Sequence, residues 1–192
     1  MKSYGLLLLL TILVSFCTVA GAQSDAHKSM DRAAPSAAQK SFDSLKNLAG
    51  NWEGRVTLVP PHPEWDNGKP LHITMRVTSR GNAIAHEMQE AGTPLDFTKY
   101  DHPLTMLYMD NGQLTLVHYC DAGNRPRMVA RPSADGKTVE FDLVDVSGST
   151  SHGHMDHAVF TAIDANHHTE DWTFMMPNDK AMHAHFDLQR VQ

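Results

Sequence analysis

Leu104-Thr105-Met106-Leu107-Tyr108-Met109-Asp110-Asn111-Gly112-Gln113-Leu114-Thr115-Leu116-Val117-His118-Tyr119-Cys120 decides the fold. Two β-prone runs flank Asn111-Gly112, a pair that takes the positive φ angles of a tight hairpin turn. In the second run Leu114, Leu116, His118 and Cys120 share one face, with Thr115, Val117 and Tyr119 opposite. The same period of two extends in both directions. It predicts strands over Trp52 to Val59, Leu71 to Ser79, Ala83 to Glu90, Leu104 to Asp110, Gln113 to Cys120, Arg127 to Pro132, Thr138 to Val146, Asp156 to Ile163, Thr169 to Met176 and Met182 to Arg190. Ser79-Arg80-Gly81, Asp135-Gly136 and Asn178-Asp179 supply further turns. No helical pattern separates successive strands, so parallel crossovers are excluded and the sheet is an antiparallel meander. Ten sequential strands remove both exposed edges by closing on themselves. The expected fold is all-β, an up-and-down barrel of about ten strands. Before the strands, Pro35 opens a pattern in which Ala38, Phe42, Leu45 and Leu48 recur at three- and four-residue spacing until Gly50. That predicts one short N-terminal helix.

The 192-residue chain is 41% hydrophobic and 20% charged, the balance of one globular domain. Its first 22 residues read as a signal peptide: Lys2, an apolar run from Leu6 to Val14, and Ala20-Gly21-Ala22 as a small-x-small cleavage site. Residues 23–35 are polar and aperiodic, a flexible leader, so the barrel domain is expected over 36–192 and the mature protein is exported, periplasmic or secreted. Removing the signal leaves 15 basic residues against 22 acidic ones, a formal charge of −7. That balance argues against nucleic-acid binding, which needs clustered cations. No second apolar run approaches the ~20 residues of a membrane helix. Only Cys120 remains after the signal, so no internal disulfide is available.

At the first strand Gly50-Asn51-Trp52-Glu53-Gly54 resembles the G-x-W-x-G entry of the calycin barrels, which include lipocalins, fatty-acid-binding proteins and nitrobindin-like proteins. The last strand, ending Leu188-Gln189-Arg190-Val191, agrees. The resemblance implies that Trp52 packs at a closed end beneath Arg190, a cation over an indole face. It also implies an interior ligand site, since eight to ten strands leave room for one small molecule. The nitrobindin-like members bind haem and carry an H-x-H pair in the last strand. Here that pair is His183-Ala184-His185, and position makes His183 the expected haem ligand. Alternation opposes this, because Met182, Ala184, Phe186 and Leu188 form the apolar face.

Alternation points instead to His118 and Cys120, facing the core together, with Asn124, Arg125 and Arg127 following a Gly123 turn. An arginine fork beside a buried histidine and thiol suits a carboxylate or other anion and lowers the thiol pKa. The plainer reading is a reduced core cysteine, a hydrogen-bonded histidine and solvated arginines.

Of the 13 histidines, three sit in Ser151-His152-Gly153-His154-Met155-Asp156-His157. The string resembles the H-x-H-x-D-H metal signature of metallo-β-lactamase-fold hydrolases. That family needs an αβ/βα sandwich and further ligands well downstream, whereas here 35 residues follow, without a helical pattern. What remains is a local zinc-type site of His152, His154 and His157, to which His167-His168 could add. No G-x-S-x-G, H-E-x-x-H, phosphate loop or dinucleotide fingerprint is present, so the sequence favours binding over catalysis. The leading expectation is an exported small-molecule-binding barrel, with His118, Cys120, Asn124, Arg125 and Arg127 at its polar end. The alternative is a histidine-ligated metal or haem protein.

Overall fold

The computed structural model describes residues 34–62, 68–132 and 136–192. The expected signal peptide, most of the leader and Asp135 lie outside the described residues. The chain forms a helix α1 (Ala37–Lys46) and ten strands: β1 (Gly50–Val59), β2 (Leu71–Thr78), β3 (Ala83–Glu90), β4 (Leu104–Asp110), β5 (Gln113–Tyr119), β6 (Arg125–Pro132), β7 (Thr138–Ser147), β8 (His154–Asp164), β9 (His167–Met175) and β10 (Ala181–Val191). Each strand pairs antiparallel with its sequence neighbour, and β1 pairs with β10, so the sheet is a closed barrel. Asn111 and Gly112 both have positive φ at the β4–β5 turn, the geometry their side chains permit. No described helix is long and apolar enough to cross a membrane.

Alternation sorts each strand into an inner and an outer face. Trp52, Ile73, Ile84, Leu107, Leu116, Met128, Phe141, Phe160 and Leu188 come from different strands and are fully buried together. The helix starts at Ser36, whose hydroxyl accepts the Gln39 N–H at 3.1 Å, and it buries Phe42 and Leu45. This face packs on β4, β5 and β6 and covers the end of the barrel where β4 turns into β5.

Arg190 closes the same end. Its guanidinium lies 4.1 Å from the centre of the Trp52 ring and donates to the carbonyls of Ala49 (2.7 Å), Ala165 (2.9 Å) and Asn47 (3.2 Å). Trp52 in turn donates its indole N–H to Leu48 at 2.8 Å. One planar fork therefore ties the α1–β1 connection, the β8–β9 turn and β10 together. Gly50, at φ +143°, leaves the space that this guanidinium fills. Arg190→Lys keeps the charge and loses the fork, so folding stability is expected to drop by about 2 kcal/mol in urea denaturation. An unchanged midpoint would mean that the cation over the ring suffices.

Candidate functional site

The inner face of the barrel holds a polar network that the apolar core surrounds. Glu170, fully buried on β9, stands opposite Phe160 of β8 and Phe186 of β10. Strand periodicity puts His168 and Trp172 on its face, two residues to either side. Three N–H groups converge on the Glu170 carboxylate. His86 Nε2 lies 3.0 Å from both oxygens, His168 Nε2 3.0 Å from Oε1, and Trp172 Nε1 3.0 Å from Oε2. Burial alone would raise this carboxyl, but the adjacent His86 and the His168 hydrogen bond outweigh it and hold it well below the usual carboxylate range. The group is an anion in the barrel interior.

Across from β9 lies a second element of the network. His86 on β3 pairs with Thr105 on β4, and Thr105 pairs with His118 on β5, so the three side chains sit side by side on the inner wall. His118 Nδ1 is 2.8 Å from the Thr105 hydroxyl, and the His118 ring is 5.5 Å from that of Trp172. Burial, then His86, push the His118 pKa down to about 3, so the imidazole is neutral. Its Nε2 is buried without a hydrogen-bond partner.

One layer nearer the end opposite α1, Asn124 is 2% exposed and immediately precedes β6. Its amide donates to the carbonyls of Ser149 (2.9 Å) and Gly153 (2.7 Å) and so joins the β5–β6 and β7–β8 loops. Gly153, at φ +85°, has no room for a Cβ against Phe174, which keeps the second loop tight to β9. With the amide nitrogen committed, Oδ1 is the free end of Asn124, and it too is buried without a partner.

The structure separates the remaining residues that the sequence grouped. Cys120 lies just beyond β5 and is half-buried, not packed in the core beside His118. Arg125 is exposed, and Arg127 turns outward to Asp145 on β7, donating through Nε at 3.0 Å. The expected arginine fork is therefore absent, because the Arg127 charge is neutralised on the outer wall. The expected fall of the Cys120 pKa is likewise corrected: burial raises it, and Asp101 and Asp121 add to the rise. Alkylation of Cys120 by iodoacetamide at pH 7.5 is accordingly expected to run several-fold slower than that of an unfolded-chain thiol, and to accelerate above pH 9. Equal rates would show that the thiol is not held among these groups.

The histidine string does not converge either. His152 is exposed, and His154 faces Asp156 at 4.0 Å. A bulge at Asp156 shifts the β8–β9 register and sets His157 over β7 instead. There His157 meets Asp142 (3.1 Å) and Glu140 (3.4 Å), the one group of three donor atoms at metal-like spacing among the described residues. Arg131 already bridges both carboxylates, so the four side chains form an ion-pair ladder on the outer wall. His183 is exposed on the outside of β10, with Nδ1 3.1 Å from the Thr173 hydroxyl. That placement follows the alternation, and it directs the imidazole away from the interior.

Sequence reasoning missed His86, Thr105 and Glu170, and named His168 only as an addition to the zinc-type site. The available signal was the shared face of His168, Glu170 and Trp172, two polar residues and a tryptophan at period two. No protein-family model matches the sequence, and no curated protein matches it. Among solved structures, the chain is similar to the crystal structure of Rv2717c from M. tuberculosis, at 14% identity and a TM-score of 0.55 over 79% of this chain and 98% of that one. At that identity the likeness is one of fold: a barrel of the same kind.

Proposed function

We propose that this protein is an exported, calycin-like barrel that binds a small molecule at the end opposite α1, with His118 and Asn124 as the polar contacts. One observation carries the reading. Two side chains, His118 on β5 and Asn124 just before β6, are each 2% exposed and keep one polar atom unpaired, His118 Nε2 and Asn124 Oδ1. An unsatisfied buried polar atom costs about 1–3 kcal/mol, and native interiors rarely retain one without a partner such as a ligand or ordered water. The Glu170 network supports the reading from below, because it fixes the wall on which His118 stands. Export rests on Lys2, the apolar run after it and Ala20-Gly21-Ala22.

The test is to extract the purified protein with organic solvent and identify what leaves by mass spectrometry. The stripped protein is expected to melt lower and to recover when the extract is returned. His118→Leu should bind the extract at least about tenfold more weakly, since it removes the polar contact while preserving bulk. An empty extract with an unchanged melting temperature overturns the proposal. An ultraviolet-visible spectrum and metal analysis of the same preparation separate the alternative. A Soret band, or about one equivalent of zinc that survives dialysis, would favour histidine ligation instead.

A further inference from the structure

His118 and Asn124 leave different atoms unpaired, and the hydrogen count around each fixes what it offers. Asn124 Oδ1 is an acceptor, because the amide nitrogen is committed to two carbonyls. For His118 the deciding neighbour is Thr105, buried on β4. The Thr105 hydroxyl has one proton to place, and His118 Nδ1, at 2.8 Å, is its hydrogen-bond partner among the described residues. If Nδ1 carried the imidazole proton, it would donate to the hydroxyl. The hydroxyl proton and the Nε2 lone pair would then both stay buried without a partner. If Nδ1 instead accepts from the hydroxyl, Nε2 carries the proton and is the one group left over. One orphan costs less than two, so the second tautomer prevails and His118 presents an N–H donor. With its pKa near 3, the doubly protonated ring is excluded at neutral pH.

Charge narrows the ligand as much as polarity does. Among the described residues no lysine or arginine is buried, and the one buried acid, Glu170, already accepts three N–H groups. The His118 ring lies 5.5 Å from that of Trp172, which packs on Phe160 at 5.6 Å. In such surroundings an ion without a counter-charge keeps its desolvation cost. A carboxylate head can accept from His118 but has no proton for Asn124. An ammonium head can donate to Asn124 but meets the His118 N–H donor against donor. Resting on the reading of His118 and Asn124 as the ligand's polar contacts, we propose that the ligand carries a neutral head of the carboxamide type, which both accepts and donates. Its C=O takes the His118 Nε2–H, and its N–H goes to Asn124 Oδ1. The same count sets aside the anionic ligand that an arginine fork would have served.

The first measurement needs no ligand and no altered fold. Long-range proton–nitrogen NMR correlations of the labelled wild-type protein at pH 7.5, with His118 assigned by its loss in His118→Gln, report which ring nitrogen carries the proton. A protonated Nε2 and a bare Nδ1 are expected. A protonated Nδ1, or protons on both nitrogens, overturns the donor assignment and with it the ligand class. The second measurement titrates hexanamide, hexanoate and n-hexylammonium into the solvent-stripped protein at the same pH. Hexanamide is expected to bind at least about tenfold more tightly than either ion and to move the His118 ring signals. His118→Leu should lose about tenfold in hexanamide affinity and leave the two ions where they were. An ion that binds as tightly as the amide, or a co-extracted molecule whose only polar groups are ionised, overturns the class and leaves the binding site standing. No response to any probe, with an empty extract, overturns both.

Discussion

Replacing Glu170 with alanine is expected to lower folding stability by about 3–5 kcal/mol, a large share of the stability of a typical domain. The carboxylate is the shared acceptor for His86, His168 and Trp172, all at 3.0 Å and all buried. Removing it leaves three donors without partners in a space that also loses its filling, and each orphan carries a desolvation penalty. Glu170→Gln is the informative companion. Its amide keeps the volume and one acceptor oxygen, but its NH₂ must face at least one of the three N–H groups, a donor against a donor. The glutamine variant should therefore fall between wild type and alanine in urea denaturation. It should also lose part of the near-ultraviolet dichroism of Trp172, whose indole N–H is one of the three. An alanine variant within about 1 kcal/mol of wild type would show that the network contributes order and not stability.

The fold was legible because each strand carries its own punctuation. Asn111-Gly112 fixed one hairpin, and alternation on either side of it fixed the faces of β4 and β5. Boundaries drifted where local structure departs from a plain ladder. β6 begins at Arg125, two residues before the sequence pattern, because Arg125 and Pro126 pair with β7 ahead of a bulge at Arg127 and Met128. β8 begins at His154 and not Asp156, because the bulge there inserts a residue that breaks the period of two. Neither irregularity has a residue signature that composition or spacing could supply.

The site was legible only in part, for a different reason. Alternation in β5 placed His118 inward since Leu114 and Leu116 share its face, and both are fully buried. In β9 the run His168-Thr169-Glu170-Asp171-Trp172 has polar residues on both faces, so alternation alone cannot choose between them. The choice is made by neighbours distant in sequence: Phe160 and Phe186 flank Glu170 and carry it inside. The arginines failed in the opposite way. Arg127 looked like a partner for an anion beside His118, but Asp145 lies opposite it across the β6–β7 pair and takes the charge outward. A reading of one strand sees a donor; the adjacent strand determines whether that donor is spare.

Acid should unfold the protein through His118 before it protonates Glu170. The folded state holds His118 neutral, with its pKa moved from 6.5 to about 3 by burial and then by His86. The unfolded chain accepts a proton near 6.5, so between about pH 6.5 and pH 3 the unfolded state binds more protons and stability falls as the pH falls. Each unit of pKa difference corresponds to about 1.4 kcal/mol, so the full interval amounts to about 5 kcal/mol. Below its ordinary value of 4.5, Glu170 adds a loss of the same sign, because its folded pKa is also depressed. Stability from urea denaturation is therefore expected to be nearly flat in this contribution above pH 7 and to decline from about pH 6 downward, steepening below 4.5. His118→Gln retains a hydrogen-bonding side chain but cannot take the proton. The wild-type curve minus the variant curve isolates His118 from every other imidazole, and that difference should slope between pH 6 and 4 and level off near pH 3. A difference that stays constant from pH 7 to 4 would mean that His118 is protonated as easily in the barrel as outside it. The imidazole would then be solvated in the native state, and its Nε2 could not be the unpaired buried atom on which the ligand site depends.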